Sequence, residues 1–507
     1  MTHTQMKVLS LLWLLVAVGS CRSLTDAGPV EPSYALDPPM HGALADFVKR
    51  VGQRLGDDQS GFLLLDNNAR NLSWRLAMID SATRSLDLQT YLWAQDFSGR
   101  LLISRIWQAA ERGVQVRLLV DDFLLRVADR NVATLAEHPN IQIRIWNPGQ
   151  RRQLGRNLQF LTRLRELNHR MHNKLLIADN MVVVSGGRNV ADSYFGLAGQ
   201  YNFFDIDLLG TGAFVRETSD MFDRYWNTPQ AIPARALHHR GTAADIPALM
   251  SSVRERLERA DQRKVYALDP QTWDAWLQDE ADAMIGGAAE VIYDKPGERE
   301  PSQDAVFGLQ RYFEGATSEA LLLTPYLVPG EVFFTAAAEL EARGVEMRIL
   351  TNSLGSTNQT VVHSAYARTR VPLLEAGLDV YEMRYDAALK DAIDTPPAIS
   401  TWVGLHGKAA VIDRRRVFVG SFNLSPRSKS LNTEMGLLVD SPRLAAELAE
   451  LIDTAMSPEN AWQLKLDESG RLAWESSDGT LTKQPSQTFR RRLTSGIFGL
   501  FPLEKHL

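Results

Sequence analysis

The sequence predicts an α/β protein of two similar domains, each a mainly parallel sheet flanked by helices, related by a pseudo-twofold and facing one shared site. Three observations predict it. An eight-residue pattern, His172-Asn173-Lys174-Leu175-Leu176-Ile177-Ala178-Asp179, returns 234 residues later as His406-Gly407-Lys408-Ala409-Ala410-Val411-Ile412-Asp413. A helix-to-strand junction recurs as well: Glu111-Arg112-Gly113-Val114-Gln115-Val116 is echoed by Ala342-Arg343-Gly344-Val345-Glu346-Met347, and the glycine precedes its His by 59 residues in one half and 62 in the other. Finally, strand-like and helix-like patterns alternate from Gly61 onward, the order that builds parallel sheets with helices on both faces. Ligands of such sheets sit at strand ends, so two facing halves can share one site.

At 507 residues, 45% hydrophobic and 23% charged, the chain is long enough for two domains with substantial cores. A net charge of −6 argues against a general nucleic-acid binder but leaves room for a local basic patch. Met6-Lys7-Val8 opens a mainly apolar run, Leu9 to Val18, that ends in Gly19-Ser20-Cys21. That run is too short for an ordinary membrane span and reads as a secretory signal over residues 1–20. Cys21, the one cysteine of the chain, can form no internal disulfide and stands where a lipoprotein signal is cut. Lipidation would tether the mature chain by acyl chains; a buried thiol in an uncleaved leader is the alternative. Residues 21–60, dotted with Pro and Gly, read as a tether.

The first domain is expected over 61–227, with a helix at Asn71 to Thr83, a strand at Ser85 to Leu92, a helix at Gly99 to Arg112 and a buried strand at Val114 to Val120. Leu86 to Leu92 is echoed by Leu321 to Leu327. Between Gln150 and Lys174 seven basic residues face only Glu166, with Leu154, Leu158, Leu161 and Leu164 at helical spacing. A surface for anionic headgroups and an ordinary amphipathic helix both fit that segment. Residues 228–288 break the repeat and read as a helical connector, and the second domain follows over 289–480. The helix carrying His363, Tyr366, Arg368 and Arg370 has no counterpart before His172, and headgroup contact or simple packing of His363 are both open. A basic and apolar tail, 481–507, suits either insertion at an interface or docking on the core.

The repeated motif carries the chemistry. His and Lys separated by one residue share a face of an extended strand, and the four apolar residues after each Lys suit a strand buried on both sides. Seventeen residues past each His comes an asparagine, Asn189 and Asn423, in segments rich in Gly and Ser. Aligning Glu434-Met435-Gly436 with Asp205-Ile206-Asp207 adds one carboxylate to each half. Transfer at a phosphodiester needs such a double set: two Lys and two Asn to stabilise charge on the phosphate oxygens, one imidazole to attack phosphorus and one to protonate the departing alkoxide. Asp205 and Glu434 are expected to hold the second ring nitrogens, and Ser421, whose counterpart is Gly187, to donate to a phosphate oxygen. Asp179 and Asp413 complete the motif at the far ends of the apolar strands, where strand-end turns need hydrogen-bond acceptors. The chemistry needs no metal or cofactor, and His-x-Lys is a poor metal pattern.

The paired His-x-Lys-x4-Asp motifs with their downstream Asn segments resemble the phospholipase D superfamily. Within it, Arg170-Met171-His172-Asn173-Lys174, Gly186-Gly187-Arg188-Asn189, Thr351-Asn352-Ser353-Leu354, Val362 to Arg368 and Asn432-Thr433-Glu434-Met435-Gly436 are similar to the bacterial cardiolipin synthase C group. The resemblance runs from about Gly61 to the C-terminus. It implies a phosphohistidine intermediate, His172 as the residue that takes the phosphatidyl group, and transfer to an alcohol. The implied partners are phosphatidylglycerol, phosphatidylethanolamine, cardiolipin as product and a membrane surface, with no nucleic acid. Arg22 after Cys21 resembles the lipoproteins sorted to an outer membrane, facing the periplasm. A hydrolytic phospholipase D releasing phosphatidic acid, another phosphodiesterase and a non-catalytic lipid-binding envelope lipoprotein are the rival readings.

Overall fold

A computed structural model describes residues 31–56, 59–149, 168–236, 241–297 and 302–498. The expected signal, Cys21 and most of the basic segment, residues 150–167, lie outside the described residues. The first half contributes β1 (Ser60–Leu65), α1 (Asn68–Ser81), β2 (Ser85–Trp93), α2 (Phe97–Glu111), β3 (Gln115–Leu125) and β4 (Ile141–Trp146). It continues with the motif strand β5 (Leu175–Ala178), then β6 (Val182–Gly186), β7 (Asp207–Thr211) and α3 (Phe214–Trp226). The connector holds α4 (Ile246–Glu258) and α5 (Asp274–Ala283). The second half repeats the plan with β8 (Ile285–Tyr293), α6 (Asp304–Glu314), β9 (Glu319–Leu323), α7 (Glu331–Ala342), β10 (Glu346–Asn352) and β11 (Asp379–Met383). Its motif strand is β12 (Ala409–Ile412), followed by β13 (Arg416–Gly420), β14 (Met435–Asp440) and α8 (Pro442–Met456). Local rules start and stop these elements. Asn67 caps α1 by accepting from the Arg70 amide and Asp96 caps α2 through Gly99, while the recurring Gly113 and Gly344 take positive φ just after their helices.

The strand order is β1-β7-β6-β5-β2-β3-β4 in one sheet and β8-β14-β13-β12-β9-β10-β11 in the other, so the duplication extends to these seven strands, and the second sheet runs on past β11 through Ala461–Leu466, Leu472–Ser476 and Gly479–Leu481. Strand β8 also pairs with β1 through Ser60↔Gly287, which links the two sheets. The α/β class with duplicated domains therefore holds, but the sheets are mixed rather than mainly parallel. Only β2-β3-β4 and β9-β10-β11 run parallel, and the motif-bearing strands are antiparallel. The reason is connection length: a parallel neighbour needs a long crossover, whereas β5 and β6 are joined by a tight turn. In that turn Asp179 and Asn180 have φ of 54° and 53°, and Asp413 and Arg414 match them at 52° and 47°.

Alternation along the strands builds the core. Leu175 and Ile177 of β5, Ala409 and Val411 of β12, and Leu321 and Leu323 of β9 point into a cluster shared by both halves, completed by α3 and α8. Leu176 and Ala178 point outward beneath α1 and α2. Residues expected as a tether are part of the fold from 31 onward. A helix, Ala43–Leu55, buries Leu44, Phe47 and Val51, and Phe47 packs edge-on against Trp74 with ring centroids 5.5 Å apart. Its 3–4 spacing of apolar residues is a helix signal that the neighbouring Pro and Gly residues obscured. Before it, Ser33 and Ala35 donate backbone hydrogen bonds to Asn227 and Asp223. The second sheet begins within the expected connector, at Ile285, and the tail docks on the core through Gln487 and Arg491, which donate to Gly355 and Thr357 carbonyls.

Candidate active site

Two short parallel pairings join the halves at their strand ends. Arg170–Met171 pairs with Asn432–Thr433, and Tyr201–Phe204 pairs with Trp402–Leu405. The residue following each register is a member of the site: His172 follows Met171 beside Glu434 after Thr433, and His406 follows Leu405 beside Asp205 after Phe204. The His172 amide donates to the Thr433 carbonyl at 2.9 Å, and the His406 amide to Phe204 at 2.8 Å. In-register residues of parallel strands share a face, so each imidazole meets the carboxylate of the opposite half. His172 Nδ1 lies 2.8 Å from Glu434 Oε2, and His406 Nδ1 lies 2.6 Å from Asp205 Oδ2. Each half by itself holds an incomplete pair.

The carboxylates are held in turn. Glu434 Oε2 also accepts from the Ser421 hydroxyl at 2.5 Å, and Oε1 accepts from the Ser428 hydroxyl at 2.6 Å and the Asn432 amide at 3.4 Å. Asp205 Oδ1 accepts the Ile206 amide at 2.8 Å. Ser421 is thus not placed as a phosphate donor: its single proton goes to Glu434, and its oxygen accepts the Met435 amide at 3.0 Å. In the first half the space is closed instead, since a Cβ on Gly187 would stand 2.1 Å from Asp205 Oδ1.

Lys174 and Lys408 fold back so that each ammonium donates to the carbonyl of its own motif histidine. Lys408 Nζ also stands 3.2 Å from His406 Nε2. Both lysines are buried, and burial pushes Lys174 down to about 7 and Lys408 to about 8. Burial likewise lowers His172 to about 4 and His406 to about 3; Lys174 and Lys408 act in the same direction, against Glu434 and Asp205. Burial opposes ionisation of Asp205, but its pairing with His406 and the charge of Lys408 outweigh burial and lower that carboxyl. Glu434 is lowered in the same way by His172 and Lys174. The resting site therefore has ionised carboxylates and neutral imidazoles, with each Nδ1 held on a carboxylate; His172 Nε2 is left for chemistry and His406 Nε2 faces the Lys408 ammonium.

Aromatic rings wall the site. Tyr91 meets His172 edge-on at 5.0 Å, while Tyr194 and Phe203 flank His406 at 5.0 and 4.9 Å, with Tyr326 at 6.4 Å. Asn189 accepts the Leu92 amide at 3.2 Å and bonds the Tyr194 side chain. Asn423 keeps a buried amide oxygen with no hydrogen-bond partner among the described residues. Asp179 and Asp413 are far from this chemistry. Asp179 accepts from the amides of Thr83, Arg84 and Ser85, and Asp413 from those of Thr317, Ser318 and Glu319, so each ties the strand-end turn to the start of a neighbouring strand. They are structural members of the motif rather than catalytic ones. His363 is packed, with Nε2 3.1 Å from an Arg370 nitrogen, and lines a small pocket together with Tyr326.

Sequence reasoning missed Ser428 and the aromatic wall, and it quoted Asn432 only as part of a motif. Tyr91 and Tyr326 were visible only as part of a repeated strand, and nothing in the order of residues marks Ser428 as a support for Glu434.

A family model described as "Cardiolipin synthase, PLD-like domain" matches residues 76–226 and 309–456, one match per half. The chain belongs to the phospholipase D superfamily. Among curated proteins of this family, cardiolipin synthase C of Escherichia coli K12 is 33% identical over 461 residues, covering 88% of this chain and 96% of that protein. A cardiolipin synthase of Staphylococcus aureus Mu50 is 22% identical over 421 residues, covering 81% and 72%. The crystal structure of phosphatidylserine synthase from Haemophilus influenzae Rd KW20 superposes with a TM-score of 0.57 at 15% identity, covering 91% of this chain and all of that one. At that identity the likeness speaks for the duplicated phospholipase D fold. Among the described residues no helix is long and apolar enough to cross a membrane.

Proposed function

We propose that the protein is a phosphatidyltransferase that makes cardiolipin from two phospholipids, phosphatidylglycerol with phosphatidylethanolamine or with a second phosphatidylglycerol. The observation that carries the proposal is the reciprocal pairing of His172 with Glu434 and His406 with Asp205, two imidazoles prepared for complementary roles at one cleft. Neutral His172, its Nδ1–H on Glu434, attacks the donor phosphorus with Nε2. The phosphorus–oxygen bond to the headgroup breaks, and the departing alkoxide takes a proton from His406 Nε2. The hydroxyl of the second lipid then returns a proton to His406 and attacks the phosphohistidine, and the phosphorus–nitrogen bond breaks. A bound phosphodiester carries negative charge, which favours the protonated His406 that the first step requires. Asp205 has fewer competing donors than Glu434, which suits it to support an imidazolium at His406. Lys174, Lys408, Asn189 and Asn423 supply the remaining charge stabilisation. The Cys21 pattern supports a lipid-tethered protein facing the periplasm.

Labelled phosphatidylglycerol, with and without phosphatidylethanolamine, tests this by mass spectrometry of the products. Cardiolipin that disappears in His172→Ala is the expected result. Phosphatidic acid alone would reassign the protein as a hydrolase, and no product would favour a lipid-binding role. An adduct trapped on His406 would reverse the two histidines.

A further inference from the structure

The connector is the part of the chain that the repeat does not explain. Its helix α4 lies across the outer face of the first sheet, opposite the face that meets the second domain. Between them is a cavity of about 140 Å³, floored by Leu118 and Val120 of β3 and Ile143 and Ile145 of β4 and walled by Ile103 and Met250. Its lining is mainly apolar, but two arginines stand at it, Arg100 from α2 and Arg256 from α4. Neither has a side-chain hydrogen bond or ion pair among the described residues, and each adds to the other's positive field. The nearby carboxylates do not quench them by contact. Asp96 accepts the amides of Gly99 and Asp192, and Asp192 those of Phe97 and Ser98. An apolar chamber with two uncommitted guanidiniums at its lining matches an alkyl chain that ends in an anion.

We propose that this cavity, which is open on one side, holds a short stretch of one acyl chain of an anionic phospholipid, with its phosphate on Arg100 and Arg256. The site is distinct from the histidine cleft yet joined to it by the chain: Trp93 and Ala94 line the cavity, and Leu92 donates to Asn189. The Ala94 amide also donates to the Val190 carbonyl at 2.8 Å, one residue beyond Asn189. A lipid seated here is held beside the transfer site without entering it. The choice of a phospholipid as the natural occupant rests on the proposed lipid chemistry; binding of an alkyl phosphate does not.

The test is isothermal titration of the full chain with hexyl phosphate below its micelle concentration. Binding is expected to weaken about tenfold or more when the chain is shortened to butyl, since each buried methylene contributes about fourfold in affinity. It should fall about tenfold or more in Val132→Trp, which fills the cavity, and in the surface-side double variant Arg100→Gln with Arg256→Gln. It should be unchanged in His172→Ala and His406→Ala, variants that abolish the proposed transfer, so the two readings fail separately. Dioctanoyl phosphatidylglycerol should compete. Binding no tighter than that of inorganic phosphate, binding untouched by the arginine pair, or binding lost with His406→Ala would each overturn the proposal. Competition by hexanoate but not by the phosphatidylglycerol would overturn its phospholipid part.

Discussion

The two halves reach the same arrangement with different parts. In one pair the carboxylate is Glu434, long enough to leave room for Ser421 and to take donors from Ser428 and Asn432. In the other it is Asp205, one methylene shorter, and the position matching Ser421 is Gly187, where any side chain would strike the carboxylate. The length of a carboxylate and the residue packed against it are thus set together, and the pairs differ in stiffness and in how much charge is left for the imidazole. The half with the crowded network orients the proposed nucleophile. The half with the barer carboxylate serves the proposed proton shuttle.

This contrast can be broken most forcefully at the carboxylates. Glu434→Gln and Asp205→Asn should each lower kcat by about 10²- to 10⁴-fold, the range seen when an imidazole loses its orienting carboxylate. They should do so at different steps: rapid-quench trapping is expected to show slow formation of the phosphohistidine with Glu434→Gln, and poor leaving-group protonation, relieved by a more acidic leaving alcohol, with Asp205→Asn. Equal effects on one step would mean that the halves are interchangeable. A smaller effect should separate the opposing residues. Gly187→Ala, whose Cβ would sit 2.1 Å from Asp205 Oδ1, should cost about 10²-fold in kcat, whereas Ser421→Ala removes one hydrogen bond and should cost about tenfold, both measured by initial rates.

Acid sensitivity sharpens the comparison next. His172 and His406 titrate at about 4 and about 3 in the folded chain, below the ordinary value of 6.5. The unfolded chain therefore binds more protons across that window, so the stability these neutral imidazoles permit is present above pH 6.5 and lost as pH falls through 4 toward 3. Thermal melts should show the wild type losing stability over that range, and the double variant His172→Gln, His406→Gln should flatten the curve. The smallest effects are structural. Asp179→Ala should destabilise by about 3 kcal/mol and the more exposed Asp413→Ala by about 2 kcal/mol in denaturant melts, with little change in kcat for the folded fraction.

Much of the fold was legible because local patterns encode it. The repeated glycines sit at positive φ where helices α2 and α7 end, and the apolar quartets after the lysines became β5 and β12, buried on both faces. The sheet direction was not legible: a buried parallel strand and a buried antiparallel strand carry the same apolar run, and only the turn at Asp179-Asn180 decides between them. Register was also beyond reach. The visible echo set Leu86 against Leu321, whereas pairing to the motif strands sets Leu86 opposite Ala178 and Ala320 opposite Ile412, one residue away. The helix at Ala43–Leu55 was missed because Pro and Gly around it outweighed a short amphipathic stripe.

By itself the order of amino acids determined the duplication, the identity of both histidines, both lysines and both carboxylates, and the type of reaction such a set can run. Only tertiary structure decided that the pairs cross between halves, that Ser421 serves Glu434 rather than a phosphate, and that Gly187 had to be bare. The physical reason is the distance in sequence. His172 meets Glu434, and His406 meets Asp205, through the pairings Met171↔Thr433 and Leu405↔Phe204, which join segments more than 190 residues apart. No local periodicity specifies such a register; it exists only once both sheets have packed on their common core.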